Sequence, residues 1–338
     1  MQTKLVVSSS PFLRSAVSTR RLMGDVVIAL IPTALAAVWF FGAPALALMI
    51  VAVAFAVLSE LVYERIAHQK STISDLSAVV TGLLLAFNLP ANAPWWMAAI
   101  GSVIAIVLVK QMFGGIGQNF INPALAARTI LMLSWAGLIA ATALPAGGQL
   151  FGLTTVPVDA VASATPLVSS SYSLWQLFIG DVPGMLGETC KLTLILGGVY
   201  LIVRKVIDWR IPVFFIATSF ILFWIQTGVI YSVESGTDNA LYQILSGGLL
   251  LGAFFMATDY VTSPVSKWGK VIMGIGCAVM LFVIRTYNNS YPEGCSFAIL
   301  FMNVLTPLID KWTMPRTFGA VKPEKAKKSE AKQGGAKA

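Results

Sequence analysis

The stretch GDVVIALIPTALAAVWFFGAPALALMIVAVAFAVLSELV, residues 24–62, decides the fold: two apolar runs, 24–41 and 44–62, stand back to back across Gly42-Ala43-Pro44. A helix that crosses the hydrocarbon core of a bilayer needs about 20 apolar residues. Each run is therefore long enough to span, and the joint between them can only turn. Outward from this pair, apolar runs between charges and Gly, Pro or Asn clusters predict spans near 74–89, 94–112 and 122–143, then near 189–204, 211–230, 240–257, 270–286 and 295–311. The expected fold class is an all-α polytopic membrane protein of about ten transmembrane helices. Composition agrees: the chain is 57% hydrophobic and 11% charged, with a mean hydropathy of +0.80, against roughly 25% charge in a soluble domain. One His and three scattered cysteines (Cys190, Cys277, Cys295) offer no CxxC or HExxH spacing. No metal site, disulfide framework or iron-sulfur cluster is expected in this chain.

The charges give the orientation. Residues 1–21 are polar and carry Lys4, Arg14, Arg20 and Arg21, and no small-residue cleavage site follows the first span. A retained anchor is expected, with no signal peptide. With the N-terminus cytoplasmic, strict alternation puts all of the 23 basic residues inside except Arg128, within the fifth span, and Lys191 and Arg285, near outer ends. The segment from Ala143 to Glu188 has no Lys or Arg but carries Asp159, Asp181 and Glu188, and the positive-inside bias places it outside. The chain then divides into a cytoplasmic N-terminal segment (1–21), a first transmembrane half (22–143), an external segment (144–188), a second half (189–311) and a Lys-rich tail (312–338), both termini being cytoplasmic.

Five spans, one external segment and five more spans start the second half from the opposite side, as in an inverted repeat. A short internal match supports this: Thr81-Gly82-Leu83-Leu84-Leu85 in the third span resembles Gly247-Gly248-Leu249-Leu250-Leu251 in the eighth, and Gly117-Gln118-Asn119-Phe120 resembles Gly294-Cys295-Ser296-Phe297. The matched spans are candidates for broken helices that build a central site.

The external segment contains Asp159-Ala160-Val161-Ala162-Ser163-Ala164-Thr165-Pro166-Leu167. An acidic residue, a small-residue stretch and then Ala-Thr resembles the flavin-transferase recognition motif, in which FMN is joined through its phosphate to the Thr hydroxyl. The resemblance implies Thr165 as the acceptor of covalent FMN, with Asp159, Ser163 and Ala164 as parts of the recognition sequence. The usual form has Ser or Thr three residues before the acceptor and Gly two before it, where this chain has Ala162 and Ser163. Small neighbours keep a hydroxyl accessible to a second enzyme, and the charge count puts it on the outer face. Read without the motif, the same residues are an ordinary small-residue loop.

Further stretches follow in a fixed order: Val7-Ser8-Ser9-Ser10-Pro11, Ser74-Asp75-Leu76-Ser77 running to Asn88-Leu89-Pro90, Gly114 to Ala124, Phe255 to Pro264, and Tyr291-Pro292-Glu293-Gly294 running to Pro307-Leu308-Ile309-Asp310. Together they resemble the family formed by the D subunits of Rnf electron-transport complexes and, more distantly, the B subunits of sodium-pumping NADH:quinone oxidoreductases. The likeness covers nearly the whole chain except the Lys-rich tail, and the short N-terminus is closer to the Rnf members. It implies a bacterial inner-membrane flavoprotein subunit, not catalytic alone, that relays electrons in a complex coupling reduced ferredoxin and NAD to Na+ or H+ translocation. It also implies partner subunits carrying FMN and iron-sulfur clusters, a flavin transferase, and room for a second, non-covalent flavin, riboflavin or FMN.

Gly114-Gly115-Ile116-Gly117-Gln118-Asn119-Phe120-Ile121-Asn122-Pro123 cannot continue a helix. It is either a cytoplasmic turn or a loop folded back into protein beside a cofactor, since unsatisfied backbone is not tolerated against lipid. It is no dinucleotide fingerprint, because no βαβ unit surrounds it. Asp75 and Asp259 flank apolar runs, where carboxylates either cap helix ends at the interface or take part in flavin binding or ion movement with Thr258, Thr262 and Asn119 as partners. Arg128 either satisfies a carboxylate or carbonyls inside the bundle or stabilises an anionic flavin, and Glu60 reads as an interface residue. Trp95, Trp96, Trp175, Trp209, Trp268 and Trp312 lie near predicted span ends, as in an interfacial belt.

A redox-silent channel or transporter on the same inverted repeat is the competing reading, because broken helices and midplane polar residues serve it equally well. The basic excess does not indicate nucleic acid. Lys311 to Ala338 carries +6 of the net +8, which reads as a disordered tail lying against anionic lipid.

Overall fold

The computed structural model describes residues 18–140, 142, 145, 166–167, 172–231, 239–288 and 293–314. Among these the chain is helical, and Pro90 and Met185 form an isolated bridge. The first half comprises α1 (Thr19–Phe41), α2 (Ala43–Ile66), α3 (Ser77–Phe87), α4 (Trp95–Val103, continued as a π-helix over Ile104–Gln111), α5 (Pro123–Ser134) and the short α6 (Ala136–Ala140). After α7 (Leu174–Ile179), the second half comprises α8 (Lys191–Val203), α9 (Arg210–Thr227), α10 (Ala240–Leu245), α11 (Leu249–Leu251, continued as a π-helix over Gly252–Met256), α12 (Lys267–Tyr287) and α13 (Cys295–Thr313). By length and composition α1, α2, α9 and α12 can each cross a membrane. α13 is of similar length, at 19 residues; the remaining passes are shorter or broken.

The opening pair folds as its sequence requires. Ser18 caps α1 by accepting the Arg21 amide, and Gly42 ends it at φ +71 with an extended ψ, a conformation only glycine adopts freely. Pro44 then sits in the first turn of α2, where a missing N–H costs nothing. Large apolar side chains of these helices, Leu35, Trp39, Ile50 and Leu58 among them, face outward, as lipid-facing residues do.

The third predicted span is only partly helical. Leu76 at φ +66 and the Asp75 carboxylate, which accepts from Ser77 N at 2.8 Å and Ser77 Oγ at 2.5 Å, start α3. The helix stops at Phe87, and the chain beyond it pairs with residues after α7: Leu186 N donates to Leu89 O and Gly187 N to Phe87 O. The eighth predicted span is broken at Ser246-Gly247-Gly248, with Gly247 at φ +65. Each half thus contains one interrupted pass, at the two stretches that match in sequence. The fifth predicted span ends earlier than expected, at Ser134, with Trp135 stacked edge-on against Trp96 at 5.3 Å. Trp95, Trp175, Trp209, Trp268 and Trp312 are exposed, whereas Trp96 is packed.

The halves meet along α1 and α8. Gly197 of α8 approaches the α1 main chain so closely that a Cβ there would lie 2.3 Å from Ala29 O, the small-residue contact that replaces the hydrophobic effect inside a membrane. Asp25 in the first span is satisfied across this seam by Arg204 at 3.2 Å and Tyr200 Oη at 3.2 Å.

Candidate functional site

A cavity of about 350 Å³ lies between the halves, at the helix ends marked by Thr19, Ser77 and Lys110. Its apolar walls include Val80 and Leu84 of α3 and Phe254 and Phe255 of the second π-helix; its polar groups include Ser77, Lys110, Asn119, Thr258 and Asp259. Apolar walls, a few placed polar groups and this volume are the attributes of a small-molecule pocket.

The glycine-rich loop reaches this cavity. Gly114, Gly115 and Gly117 have φ of +113°, +89° and +91°, left-handed turns that return the chain so that Ile116, Gly117 and Asn119 line the cavity. Gly114, Ile116, Gly117, Gln118 and Phe120 are exposed while Gly115, Asn119 and Asn122 are buried, so the loop is a turn with one side against the cavity. Asn119 bonds to Ile121 O at 3.0 Å and to the Asp259 carboxylate, which also accepts from Thr262 Oγ1 at 3.3 Å. Thr258 instead donates to Phe254 O of its own helix at 2.6 Å. Asn122 caps α5, its Oδ1 accepting from Ala124 N and Leu125 N, and its Nδ2 donates across the seam to Met256 O at 3.3 Å. Asp75 proves to be a helix-capping residue.

Arg128 does not join this cavity. It lies in a separate buried network toward the opposite ends of the helices, donating to Ser296 Oγ at 2.6 Å, to Glu293, and to Glu188 at 3.5 Å. Lys191 donates to the carbonyls of Glu188 and, at 2.9 Å, Gly247, while Arg285 serves the carbonyls of Gln243, Ser246 (3.1 Å) and Glu293 (3.4 Å). Breaking a helix frees carbonyls that hydrocarbon cannot satisfy; at the break after α10 the two cations satisfy them. Among the described residues three basic and two acidic side chains meet here, a formal excess of one positive charge. Pro166 lines a small crevice with Glu188, Lys191 and Glu293, and accepts from Tyr242 Oη at 3.0 Å.

Thr165, Asp159, Ser163 and Ala164 lie outside the described residues, as do residues 315–338 of the tail; Pro166, the next residue after the predicted acceptor, is the nearest described point. Glu60 is corrected: it is fully buried rather than interfacial, because Lys110 Nζ reaches it at 2.6 Å. Lys110, counted among the inner loop charges, is itself buried with it. Glu188, Glu293, Lys191 and Arg285 were not anticipated as members of one site. A signal was present, since Arg128, Lys191 and Arg285 are the three basic residues that defied the charge bias, and all three belong to this buried network.

These features define a class: a polytopic all-α membrane protein of two halves, with interrupted helices, a ligand-sized cavity between the halves, and a buried charge network at the opposite end. The particular family follows from the sequence profile of the NQR2, RnfD, RnfE family, which matches residues 6–319; the chain belongs to that family. It is 45% identical to the D subunit of the Na+-translocating ferredoxin:NAD+ oxidoreductase complex of Acetobacterium woodii, over 97% of this chain and 99% of that one. It is 40% identical to the D subunit of the proton-translocating ferredoxin:NAD+ oxidoreductase complex of Clostridium ljungdahlii, over 93% and 96%. It is 38% identical to the D subunit of the ion-translocating oxidoreductase complex of Halorhodospira halophila, over 92% and 94%.

Proposed function

We propose that this chain is the D-type membrane subunit of an ion-translocating ferredoxin:NAD+ oxidoreductase, relaying electrons through FMN esterified to Thr165 and a second, non-covalent flavin in the cavity between the halves. The end-to-end likeness to D subunits of such complexes carries the complex role. The chain sits in the bacterial inner membrane with both termini cytoplasmic, beside FMN-carrying and iron-sulfur subunits.

The residues fit both flavins. For the covalent one, the uncompensated positive charge of the outer network, beside the residue that follows Thr165, suits an anionic phosphoester, and the Tyr242 bond to Pro166 O tethers the acceptor segment there. For the other, the cavity has apolar walls for an aromatic ring, with the Lys110 ammonium and the Asn119 amide at its polar edge. When bound, a flavin supplies the one- and two-electron chemistry. The protein's contributions are to orient the ring, exclude water with Phe254 and Phe255, and hold charge beside it.

A denaturing gel tests this. The chain produced in cells that contain the flavin transferase should give a fluorescent band, and Thr165→Ala a dark one. A dark wild-type band favours the redox-silent transporter. Denaturation should also release non-covalent flavin from both proteins in equal amount.

A further inference from the structure

α9 and α12 pack side by side and run in the same direction. Gly274 approaches α9 so closely that a Cβ there would lie 2.9 Å from Ile211 O; further along, Phe223 meets Phe282 at 5.4 Å and Gln226 meets Thr286 at 3.3 Å. The first turns of the two helices are therefore neighbours. Asp208 Oδ2 joins them, accepting from Arg210 Nη1 at 2.9 Å and Lys270 Nζ at 3.1 Å. Lys267 stands one turn before Lys270 on the same face of α12, and it has no acidic partner among the described residues. The end of α13 lies beside this point, with Ser266 Oγ bonded to Thr313 Oγ1 at 2.5 Å, and brings Lys311 with it. Asp310, the other acid here, accepts from the Val265 amide at 3.1 Å.

Arg210, Lys267, Lys270 and Lys311 thus meet Asp208 and Asp310, four basic side chains against two acidic ones. The cations also have donors to spare. A guanidinium has five and an ammonium three, whereas the Arg210 and Lys270 side chains each give one bond, to Asp208, and both stay about a quarter exposed. The Arg210 guanidinium lies over the Trp209 ring, 5.4 Å from its centre, which holds it in place. Helix stability does not call for these cations, because the macrodipole favours acids in a first turn. Trp209 and Trp268 are exposed beside them, and each helix continues as an exposed apolar stripe: Val213 and Ile221 on α9, Ile272, Ile275 and Val279 on α12. Indole rings sit at the headgroup level of a membrane, and apolar stripes of a spanning helix sit against acyl chains. Spare cationic donors, aromatic rings and apolar surface follow one another here in the order of phosphate, glycerol and acyl chain in a phospholipid.

We propose that the first turns of α9 and α12 form a binding site for one anionic phospholipid, its phosphodiester taking the spare donors of Arg210, Lys267 and Lys270 and its acyl chains lying along the stripes. Asp208 gathers Arg210 and Lys270 to one point, so the site is organised before the lipid arrives. In the orientation given above the lipid belongs to the cytoplasmic leaflet, and the site uses neither flavin assignment.

Native mass spectrometry of the delipidated full-length chain, released from detergent, tests it. Phosphatidylglycerol and phosphatidylethanolamine with the same acyl chains are titrated in turn, and the adduct of one lipid per chain is counted. Phosphatidylglycerol should saturate one position at a several-fold lower concentration. Lys267→Gln, a change at an exposed side chain, should raise the half-saturating concentration about five-fold, the equivalent of about 1 kcal/mol for one basic group near an anionic surface. Adding Lys270→Gln should remove the preference altogether. Lys70→Gln takes a charge from an exposed position in the loop after α2 and should change nothing. Equal affinity for the two lipids, or an unchanged preference in Lys267→Gln, overturns the proposal. An equal shift in Lys70→Gln overturns it too, by showing a diffuse attraction to the whole face. So does glycerol phosphate competing as well as the lipid, since the apolar stripes would then contribute nothing.

Discussion

Arg128, carried by α5 of the first half, is held by Glu293, carried by the turn before α13 of the second. This pair and the Arg128 contact with Glu188 join the two halves through charge rather than through apolar packing alone. Removing one partner of a buried pair leaves the others unpaired at a cost of about 3–5 kcal/mol. Arg128→Met should therefore lower the unfolding temperature of the purified chain markedly, and Arg128→Lys by less. A variant as stable as the wild type by intrinsic tryptophan fluorescence would refute the role of the network in joining the halves.

Tyr242→Phe keeps the ring and removes the hydroxyl that donates to Pro166 O. It should reduce covalent flavin per chain on the gel while leaving the stability within about 1 kcal/mol of wild type. Full labelling would show that the tether does not present the acceptor.

Asn122 closes the N-terminus of α5 and ties the glycine-rich loop to Met256 O. Asn122→Ala should cost about 1 kcal/mol for the lost cap and reduce the non-covalent flavin released on denaturation. Chromatography of the extracted flavin measures the second effect, and unchanged flavin content counts against Asn122 as a support of the cavity.

Gly197→Ala places a Cβ against the backbone of α1, where nothing flexible can yield. It should destabilise by about 1–3 kcal/mol as overpacking. Gly137→Ala is the control, since a Cβ there meets nothing within 4 Å. Equal unfolding temperatures for the two variants would show that α1 and α8 do not approach as closely as described.

Asp208, in the turn between α8 and α9, pairs with Lys270 at 3.1 Å and Arg210 at 2.9 Å. Burial opposes its ionisation, but bonds from the Arg210 amide and the Lys270 ammonium outweigh it and hold the carboxyl below its ordinary 3.8. A depressed acid contributes stability that is complete above the unfolded-state value and lost as pH falls through the folded-state value. The contribution should thus be intact at neutral pH and fade below about pH 4. Asp208→Asn should flatten that part of the stability profile; an acid limb of the same steepness would remove Asp208 as its cause.

Much was legible in the chain itself. The apolar runs, the interruption of the two matched spans and the end of helix at Gly114 to Pro123 follow from local rules, because the bilayer acts on each segment separately and backbone groups must be satisfied within or near it. The grouping of Asn119 with Asp259 and Thr262 was also anticipated, because these residues share one end of their spans. Arg128 was visible as a costly residue, but its partners were not: Glu188 is 60 positions away and Glu293 165.

By itself the sequence determined that this is an all-α polytopic membrane protein and where its apolar runs lie. Only the tertiary structure decided that Glu60 and Lys110 are a buried pair rather than two interface charges, and that the three misplaced cations form one network. Hydrophobicity is a property of a single segment facing lipid, whereas an ion pair exists only once two particular helices are neighbours, and neighbour choice is set by close contacts such as Gly197 on Ala29 that no local pattern encodes.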